Sequence, residues 1–392
     1  MDLKAAFNRD YSDQPLLLAR APGRVNLLGE HIDYNQGPVL PAAIDRAVHL
    51  AVAPIPGGRV TLHALDLDQR VTFSLAALDQ KVTQEGKPMP SWALYPAGVA
   101  WSLQAAGYPV SGLQAVYRSD VPIGSGLSSS AAVEVGFAAI WQSLGGWEMD
   151  RMTLARLCQR AENEYVGVSC GLMDQFASAH GVEGHALYFD TRSLEWEPAP
   201  LPAGTALVIA DSGMRRSLAA SAYNERRAAC EQAVELLRQH MPGIESLRDV
   251  SPPEFAAYGP FLPPVVRRRA EHVVKEIARV QTAVTALRRG DAQTFGALMF
   301  AGHASLRDLY EVSLPELDAL VRLARELPGC FGARLTGAGF GGCTVNLVEA
   351  AQASQFIQGL KNGYQQETGR AAQVYLCFAS HGATVELISL KT

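Results

Sequence analysis

The sequence predicts an α+β fold in two domains, on the basis of its length, its composition and the order of its apolar patterns. At 392 residues the chain is too long for one compact core and long enough for two. Hydrophobic residues make up 48% and charged residues 19%, a balance typical of a globular protein with a large core. Strand and helix patterns are mixed without a regular β-α-β alternation, which favours α+β over a doubly wound parallel sheet.

The net charge and the spacing of the cysteines disfavour several classes of function and site. A formal net charge of −5 provides no basic excess for general nucleic-acid binding. The six cysteines show no CxxC spacing, so we expect unpaired thiols rather than a disulfide framework or a zinc site. No apolar run approaches the ~18–20 residues that span a bilayer, and the N-terminus lacks the pattern of a secretory signal. We therefore expect a soluble cytoplasmic protein without a nucleic-acid or membrane partner, and no obligate protein partner is evident.

Period-two alternation of apolar residues predicts strands in the first half of the chain. The pattern runs through residues 44–75 and is interrupted by prolines and glycines at 54–58 and by polar residues at 66–69. Three consecutive strands with one buried face are typical of an antiparallel meander, which is the arrangement we predict. A further strand is predicted at 112–118.

Apolar residues at helical spacing predict the main helices. One stripe covers 133–144, and the glycine pair at 145–146 ends it. Another helix is predicted at 151–165. In the second half a longer stripe covers 266–287 and is stopped by Gly290, which indicates a long helix with one buried face.

The stretch 195–204, with three prolines and a glycine, is the predicted domain boundary. It divides the chain into an N-terminal domain at 1–200 and a C-terminal domain at 201–392. The second domain is expected to begin with a strand and to end with three more. These strands are predicted at 206–210, 343–348, 374–378 and 385–388.

A glycine- and serine-rich loop at 124–130 precedes the helix predicted from the stripe at 133–144 and has the features of a phosphate site. Gly124 and Gly126 let the backbone approach an anion closely, and the serines at 128–130 add hydroxyls and cap the helix. The first amides of that helix point outward at the positive end of its dipole. A capped loop without a ligand is the alternative. No lysine follows in GxxxxGK[ST] spacing, which disfavours a P-loop NTPase.

Three other segments carry unusual chemistry. Polar side chains crowd residues 24–35 and suit the hydroxyls of one small ligand, although a polar surface loop has the same composition. Asp174 lies among apolar neighbours and needs a partner such as an arginine, either as a capping or as a catalytic carboxylate. The glycines at 337–342 form either a tight hairpin or a second backbone wall at the phosphates.

Taken together, these segments resemble the motifs of the GHMP kinases. Three motifs occur in the order of that family, at 22–35, 122–132 and 337–343, and the resemblance spans 20–345. The first motif is similar to the signature of the galactose-phosphorylating branch, with Ile32 where a threonine is usual. Segments 170–175 and 221–227 also resemble that branch.

The resemblance implies both an architecture and a reaction. It implies an N-terminal domain like the second domain of ribosomal protein S5 and a ferredoxin-like C-terminal domain, with the active site between them. It also implies transfer of the γ-phosphoryl of ATP to the C1 hydroxyl of galactose, with Mg²⁺ as cofactor.

By matched position the resemblance assigns roles to individual residues. Asp174 is the candidate base facing the C1 hydroxyl, and Arg24 is its cationic partner and can reach the transferring phosphoryl. The sugar hydroxyls would be held by Glu30, His31, Asp33, Gly171 and Tyr223. The ATP phosphates would be wrapped by Gly124, Ser125, Gly126, Leu127, Ser128, Ser129 and Ser130. Mg²⁺ would be held by Ser130 and Glu162, and the adenine pocket would be lined by Trp92 or Tyr95.

Two alternatives remain open at the level of sequence. A kinase of N-acetylgalactosamine or of another sugar would carry the same motifs. A sugar sensor that binds the same ligands without turnover would also resemble this family. All candidate catalytic positions are filled in this chain, which favours the enzyme.

Overall fold

The structure, a computed structural model, describes residues 2–122, 124–215 and 219–388. Ile123 of the predicted phosphate loop therefore lies outside the described residues. The strands, in chain order, are β1 (Leu17–Asn26), β2 (Pro38–Val39), β3 (Pro41–Pro54), β4 (Arg59–Ala64), β5 (Gln69–Ser74), β6 (Leu113–Ser119), β7 (His185–Asp190), β8 (Trp196–Pro200), β9 (Thr205–Asp211), β10 (Cys330–Thr336), β11 (Cys343–Glu349), β12 (Gln373–Cys377) and β13 (Thr384–Leu387).

The helices of the same described ranges are distributed over both halves. In chain order they are α1 (Leu3–Tyr11), α2 (Ser91–Ala105), α3 (Ser129–Gly145), α4 (Arg151–Arg160), α5 (Met173–His180), α6 (Ala219–Leu237), α7 (Pro252–Tyr258), α8 (Pro264–Arg288), α9 (Ala292–Ser305), α10 (Pro315–Glu326) and α11 (Ala353–Thr368). Helices α4 and α9 each continue into a π-helical turn, at Ala161–Val166 and Leu306–Tyr310. Short 3₁₀ turns lie at Asp33–Asn35, Leu78–Gln80, Leu247–Asp249, Gly259–Phe261 and Ala350–Gln352.

The first half is built on a six-stranded sheet with the order β13-β1-β3-β6-β4-β5. The strands predicted within 44–75 and at 112–118 are present, but the predicted meander is wrong. Strand β6 lies between β3 and β4, and it pairs with β4 in parallel. Period-two alternation marks the buried face of a strand and carries no information about its neighbours, so it did not reveal the insertion.

Helices α3, α4 and α8 confirm the predicted helical segments. Helix α3 packs on the six-stranded sheet and ends at Gly146, which has the left-handed φ of +62° that favours glycine. The predicted helix at 151–165 is α4 together with its π-helical turn. Helix α8 is 25 residues long, and the apolar residues of its predicted stripe are buried.

The second half contains a four-stranded antiparallel sheet with the order β10-β11-β9-β12, covered by α9, α10 and α11. The four strands predicted for this half are present as β9, β11, β12 and β13. The last of them, β13, pairs with β1 in the sheet of the first half. The proline-rich stretch predicted as the boundary forms β8, the edge of a small sheet with β2 and β7. The division at 200/201 remains a prediction.

The elements that carry the predicted motifs meet where the two halves face each other. The phosphate loop precedes α3, Asp174 lies in the first turn of α5, and the third motif connects β10 to β11. None of the helices in the described ranges is long and apolar enough to cross a membrane.

Candidate active site

A cavity of about 590 Å³ lies where these motifs meet. Its walls include all of the residues predicted to bind the sugar, the phosphates and Mg²⁺ except Ser125 and Leu127. Residues 24–35, called the sugar segment from here on, and their surroundings contribute Arg24, Glu30, His31, Asp33, Gly171, Asp174 and Tyr223. The phosphate loop and the predicted metal ligands contribute Gly124, Gly126, Ser128, Ser129, Ser130 and Glu162. The sequence motifs, separated by up to hundreds of residues, therefore converge on one pocket.

The phosphate loop turns through left-handed backbone conformations at Gly124 (φ +72°), Gly126 (φ +86°) and Ser128 (φ +58°). Ser128 occupies the N-cap position of α3 without making a side-chain capping bond. The prediction that it caps the helix is wrong, because its hydroxyl donates to Asp174 instead. The amides of the first turn of α3 are thus left for a ligand, as anion binding at a helix N-terminus requires.

Ser125 and Leu127 lie behind the wall of the cavity. The Ser125 hydroxyl is buried and donates to the carbonyl of Pro122 at 2.7 Å, which closes the turn. The Leu127 side chain is buried in the core, and its carbonyl accepts a hydrogen bond from the Arg24 amide at 3.1 Å. Neither side chain is directed to a ligand, so their predicted contribution to phosphate binding rests on the main chain alone.

Asp174 and Arg24 form a bidentate ion pair, the partnership predicted for this carboxylate. Arg24 donates from Nε to Oδ1 and from Nη2 to Oδ2, both at 2.8 Å, and Ser128 also donates to Oδ2. A carboxylate has about four acceptor positions, so these three bonds leave roughly one, on Oδ1, which also lies 2.7 Å from Arg24 Nη2. The remaining guanidinium nitrogen of Arg24, Nη1, donates to the Gly126 carbonyl at 2.6 Å. One arginine therefore fixes the carboxylate and the phosphate loop relative to each other.

Asp33 lies directly against Gly171. A Cβ atom placed on Gly171 would lie only 1.7 Å from Asp33 Oδ2. Burial raises the pKa of Asp33 to about 6, and the neighbouring charge of Asp174 acts in the same direction. Position 171 thus has to be glycine for the Asp33 carboxylate to occupy this wall of the cavity.

Glu30 is almost completely buried, with 2% of its surface exposed. Its Oε1 accepts a hydrogen bond from the Gly337 amide at 3.0 Å, and its Oε2 forms an ion pair with Arg334. Burial raises the pKa of Glu30 to about 7 against the opposing charge of Arg334.

His31 has hydrogen-bond partners within the protein at both ring nitrogens. Its Nε2 lies 3.1 Å from the Ala338 carbonyl, which can only accept, so Nε2 carries the hydrogen. In the neutral ring Nδ1 then accepts from the Tyr34 hydroxyl at 2.9 Å, which is in turn 2.6 Å from the Tyr310 hydroxyl. The Tyr223 ring packs 5.4 Å from the His31 ring between centroids. These contacts fix the rings that line the cavity.

Two buried carboxylates lie beside the start of α3. Gln175 donates from Nε2 to Glu134 Oε2 at 2.9 Å and to Glu162 Oε2 at 2.6 Å. Burial raises the pKa of both carboxyl groups, and their mutual repulsion adds to the effect for Glu134. The Ser130 hydroxyl partly opposes the rise in the pKa of Glu162. Glu134 Oε1 is buried without a hydrogen-bond partner among the described residues.

This donor set fits a divalent cation. Hydroxyl and carboxylate oxygens are the ligands that Mg²⁺ prefers, and it is usually held by one or two carboxylates together with substrate phosphates. Ser130 and Glu162 provide such oxygens next to the phosphate loop. Within the described ranges no group of three or more His, Cys, Asp or Glu side chains is arranged to hold a metal.

Sequence reasoning missed Arg215, which follows β9 and reaches the cavity from the second half. It forms a bidentate pair with Asp211 at 2.9 and 3.0 Å, and its side chain lies against Gly124 of the phosphate loop. No motif marks it, since its place at the loop depends on a tertiary contact. The adenine candidates Trp92 and Tyr95 do not line this cavity, and the Trp92 indole donates to Gln69.

The third glycine-rich motif is a hairpin and a cavity wall at once. It connects β10 to β11, which pair in antiparallel register up to Thr336 and Cys343. Gly337 and Ala338 line the cavity, and their main chain contacts Glu30 and His31. The contacts of the motif are thus with the predicted sugar segment, and its predicted role at the phosphates remains a prediction.

Family models match three parts of the chain. The galactokinase galactose-binding signature matches residues 5–54, the N-terminal domain of GHMP kinases matches 95–182, and the C-terminal domain of GHMP kinases matches 283–366. The first match covers the polar segment that includes Arg24, Glu30 and Asp33. The second covers the phosphate loop and Asp174.

Curated relatives are similar over almost the whole chain. The galactokinase of Roseiflexus sp. (strain RS-1) is 47% identical over 381 residues, which is 97% of this chain and 96% of that protein. The galactokinase of Homo sapiens is 44% identical over 389 residues, covering 98% and 96% of the two chains.

Solved structures give the same picture. The structure of Lactococcus lactis galactokinase complexed with galactose superposes with a TM-score of 0.91 at 33% identity and covers 97% of this chain and 98% of that one. The mevalonate kinase of Methanococcus jannaschii, at 18% identity and a TM-score of 0.66, shares the fold.

Proposed function

The chain belongs to the galactokinase family of the GHMP kinases, and from this premise we propose how its cavity phosphorylates galactose. It is an ATP-dependent sugar kinase with the α+β architecture of two GHMP domains that the sequence predicts. The C1 hydroxyl oxygen of galactose bonds to the γ-phosphorus of ATP while the bond from that phosphorus to the β–γ bridging oxygen breaks. The products are galactose 1-phosphate and ADP, and the hydroxyl proton is released.

The observation that carries the proposal is the position of Asp174 between the sugar segment and the phosphate loop. Its single remaining acceptor position on Oδ1 can receive the hydrogen of the C1 hydroxyl, which orients the oxygen and takes its proton. Arg24 holds the carboxylate in that orientation through two hydrogen bonds. Arg24 also binds the Gly126 carbonyl, so it fixes the distance between Asp174 and the phosphate loop. The C1 hydroxyl oxygen that Asp174 orients is thereby positioned relative to the phosphates, which is the main requirement of phosphoryl transfer.

The phosphates of ATP are held by the loop from Gly124 to Ser130 and by the first amides of α3. Two glycines in left-handed conformations bring the main chain close to the phosphate oxygens. Arg215, alongside Gly124, supplies a positive charge from the second half of the chain. These groups offset the charge that develops on the β- and γ-phosphates.

Mg²⁺ completes the charge balance in this proposal. Ser130 and Glu162 would hold it, and Gln175 orients the Glu162 carboxylate through its amide. Bound Mg²⁺ neutralises charge on the β- and γ-phosphate oxygens. The buried, mutually repelling carboxylates of Glu134 and Glu162 lack a compensating positive charge in the described residues around them, which supports a cation site at this position.

Galactose is bound by Glu30, Asp33, His31, Tyr223 and the main chain at Gly171. The two carboxylates accept hydrogen bonds from sugar hydroxyls, and the aromatic rings give the pocket its shape. Asp33 is brought into range because position 171 has no side chain.

We further propose that the enzyme acts in the cytoplasm on its two small-molecule substrates and requires no protein partner. Within the described residues no disulfide joins any of the six cysteines, four of which are buried, and this fits a reducing compartment.

A coupled ADP-release assay tests the function. Mg-ATP is offered with galactose, glucose, N-acetylgalactosamine or arabinose, and kcat/KM is measured for each. We expect galactose to exceed the other sugars. Turnover that prefers another sugar would overturn the substrate assignment, and ATP and sugar binding without ADP release would overturn the kinase.

A further inference from the structure

The guanidinium of Arg334, on β10, is completely buried beside the sugar pocket. It forms an ion pair with Glu30 Oε2 and donates from Nη1 to Glu276 Oε1 at 3.1 Å. It also donates to the carbonyls of Leu27 and Leu335, both at 3.2 Å. A buried cation requires such compensation. Of the four partners, Glu30 and Leu27 belong to the sugar segment, Glu276 lies on α8 and Leu335 lies on β10.

Glu276, on α8, extends this contact into a chain of alternating charges. Its Oε1 accepts from Arg334 and from the Gly29 amide at 2.9 Å, and its Oε2 pairs with Arg279. The order of charges is thus Arg279, Glu276, Arg334, Glu30. Helix α8 therefore binds the sugar segment directly at the main chain of Gly29 and supports the side chain of Glu30 through Arg334.

Glu30 is left with unused acceptor capacity at the cavity. Each of its oxygens has one partner, Gly337 on Oε1 and Arg334 on Oε2, and a carboxylate can accept about four hydrogen bonds. The partners come from β10 and from the hairpin after it, and Glu30 itself forms part of the cavity wall with 2% of its surface exposed.

Stability alone does not explain this chain. A buried ion pair is often no more stabilising than apolar residues of the same volume, since desolvation offsets the attraction. The charge of Arg334 has a local effect that apolar packing lacks: it opposes the rise in the pKa of Glu30 that burial causes. Without it a larger fraction of Glu30 would be neutral and rotate free of its fixed orientation.

We propose that Arg334 is a positioning residue for the sugar, which holds the Glu30 carboxylate oriented toward the hydroxyls of galactose. Arg334 does not line the cavity and acts only through Glu30. The inference rests on the proposed function, in which Glu30 binds galactose. It adds that the second half of the chain, through β10 and α8, sets the affinity of the first half for its sugar.

A double-mutant cycle tests this proposal in the full-length protein. Arg334→Gln, Glu30→Gln and the double variant are compared with the parent by calorimetric titration with galactose and, separately, with ATP. We expect Arg334→Gln to raise the Kd of galactose by about 10- to 100-fold, as for the loss of a charge-assisted hydrogen bond. The Kd of ATP should change less than about threefold. In the Glu30→Gln background, Arg334→Gln should raise the Kd of galactose less than about threefold further.

The outcomes separate this inference from the function on which it rests. A normal galactose Kd in Glu30→Gln would remove Glu30 from the sugar site and with it part of the proposed function. Weak binding in Glu30→Gln with normal binding in Arg334→Gln would overturn the positioning role alone. Equal losses of galactose and ATP affinity in Arg334→Gln, or full additivity in the double variant, would indicate a general structural effect and also overturn it.

Two further variants control for folding. Arg20→Gln removes another arginine that connects the halves, by a hydrogen bond to Ser380, and that does not line the cavity. It should leave the galactose Kd within about threefold. If Arg334→Gln yields no folded protein, Glu276→Gln decides: it retains the shape of the side chain and weakens the support of Arg334, so we expect the galactose Kd to rise about threefold or more while that of ATP is unchanged. An unchanged galactose Kd in Glu276→Gln would then contradict the proposal.

Discussion

Gly171→Ala is the smallest change that probes the sugar side of the cavity. The new methyl group would lie 1.7 Å from Asp33 Oδ2 and 2.7 Å from its Cγ, whereas ordinary contact begins near 3.4 Å. The Asp33 carboxylate must therefore retreat by about 1.7 Å. Gly171 is not among the glycines with positive φ, so alanine brings no backbone strain of that kind. The substitution acts on the position of one carboxylate.

A displacement of about 1 Å in a positioning group can reduce turnover about 10²-fold. We therefore expect Gly171→Ala to reduce kcat/KM for galactose by about 10²-fold, or about 2.7 kcal/mol, while the KM of ATP stays within about threefold. Steady-state kinetics in the ADP-release assay measure both constants. Gly243→Ala is the matched control, since a Cβ there meets no atom within 4 Å, and it should behave like the parent. Normal galactose kinetics in a folded Gly171→Ala protein would refute the placement of Asp33 in the sugar site.

Three further predictions concern the other parts of the site. Asp174→Ala should lower kcat by about 10²–10⁴-fold with little effect on ATP binding, since it removes the group that orients the hydroxyl and accepts its proton; near-normal kcat would exclude that role. Glu162→Gln should weaken Mn²⁺ binding to the ATP complex by about tenfold or more, measured by electron paramagnetic resonance; unchanged Mn²⁺ affinity would exclude it as a ligand. Galactose should bind about tenfold more weakly at pH 6 than at pH 8 in calorimetric titrations. Glu30, with a pKa of about 7, and Asp33, with a pKa of about 6, take up protons as the pH falls, and the protonated groups accept hydrogen bonds less well. Tighter binding at pH 6 would contradict this reasoning.

Sequence patterns predicted the local structure of this protein well where one face of an element is buried. The stripe at 266–287 became α8, and the glycine pair at 145–146 ended α3, because burial and backbone freedom act within a few residues. The neighbours of strands were not predictable in the same way. The position of β6 between β3 and β4 depends on packing across the sheet. The alternation of apolar residues within a strand does not indicate which strand lies beside it.

The candidate site shows the same division. The motifs carried most of the residues that line the cavity, because close main-chain approach and dense polar groups leave local traces. The residues that support them left none. Arg334 lies more than 300 positions from Glu30 along the chain, and only the fold brings them together. Ser128 shows that a local pattern can also mislead. Its position predicts a helix cap, but its hydroxyl donates a hydrogen bond to Asp174 instead.

The position of the phosphate on the product tests the central claim most directly. Galactose and Mg-ATP are incubated with the protein, and the product is examined by phosphorus–proton correlation NMR. We predict a phosphorus coupled to the anomeric proton, which identifies galactose 1-phosphate. A phosphorus coupled to protons at another carbon, or the absence of any phosphorylated sugar from folded protein, would contradict the placement of Asp174 between the sugar segment and the phosphate loop as the group that directs the C1 hydroxyl.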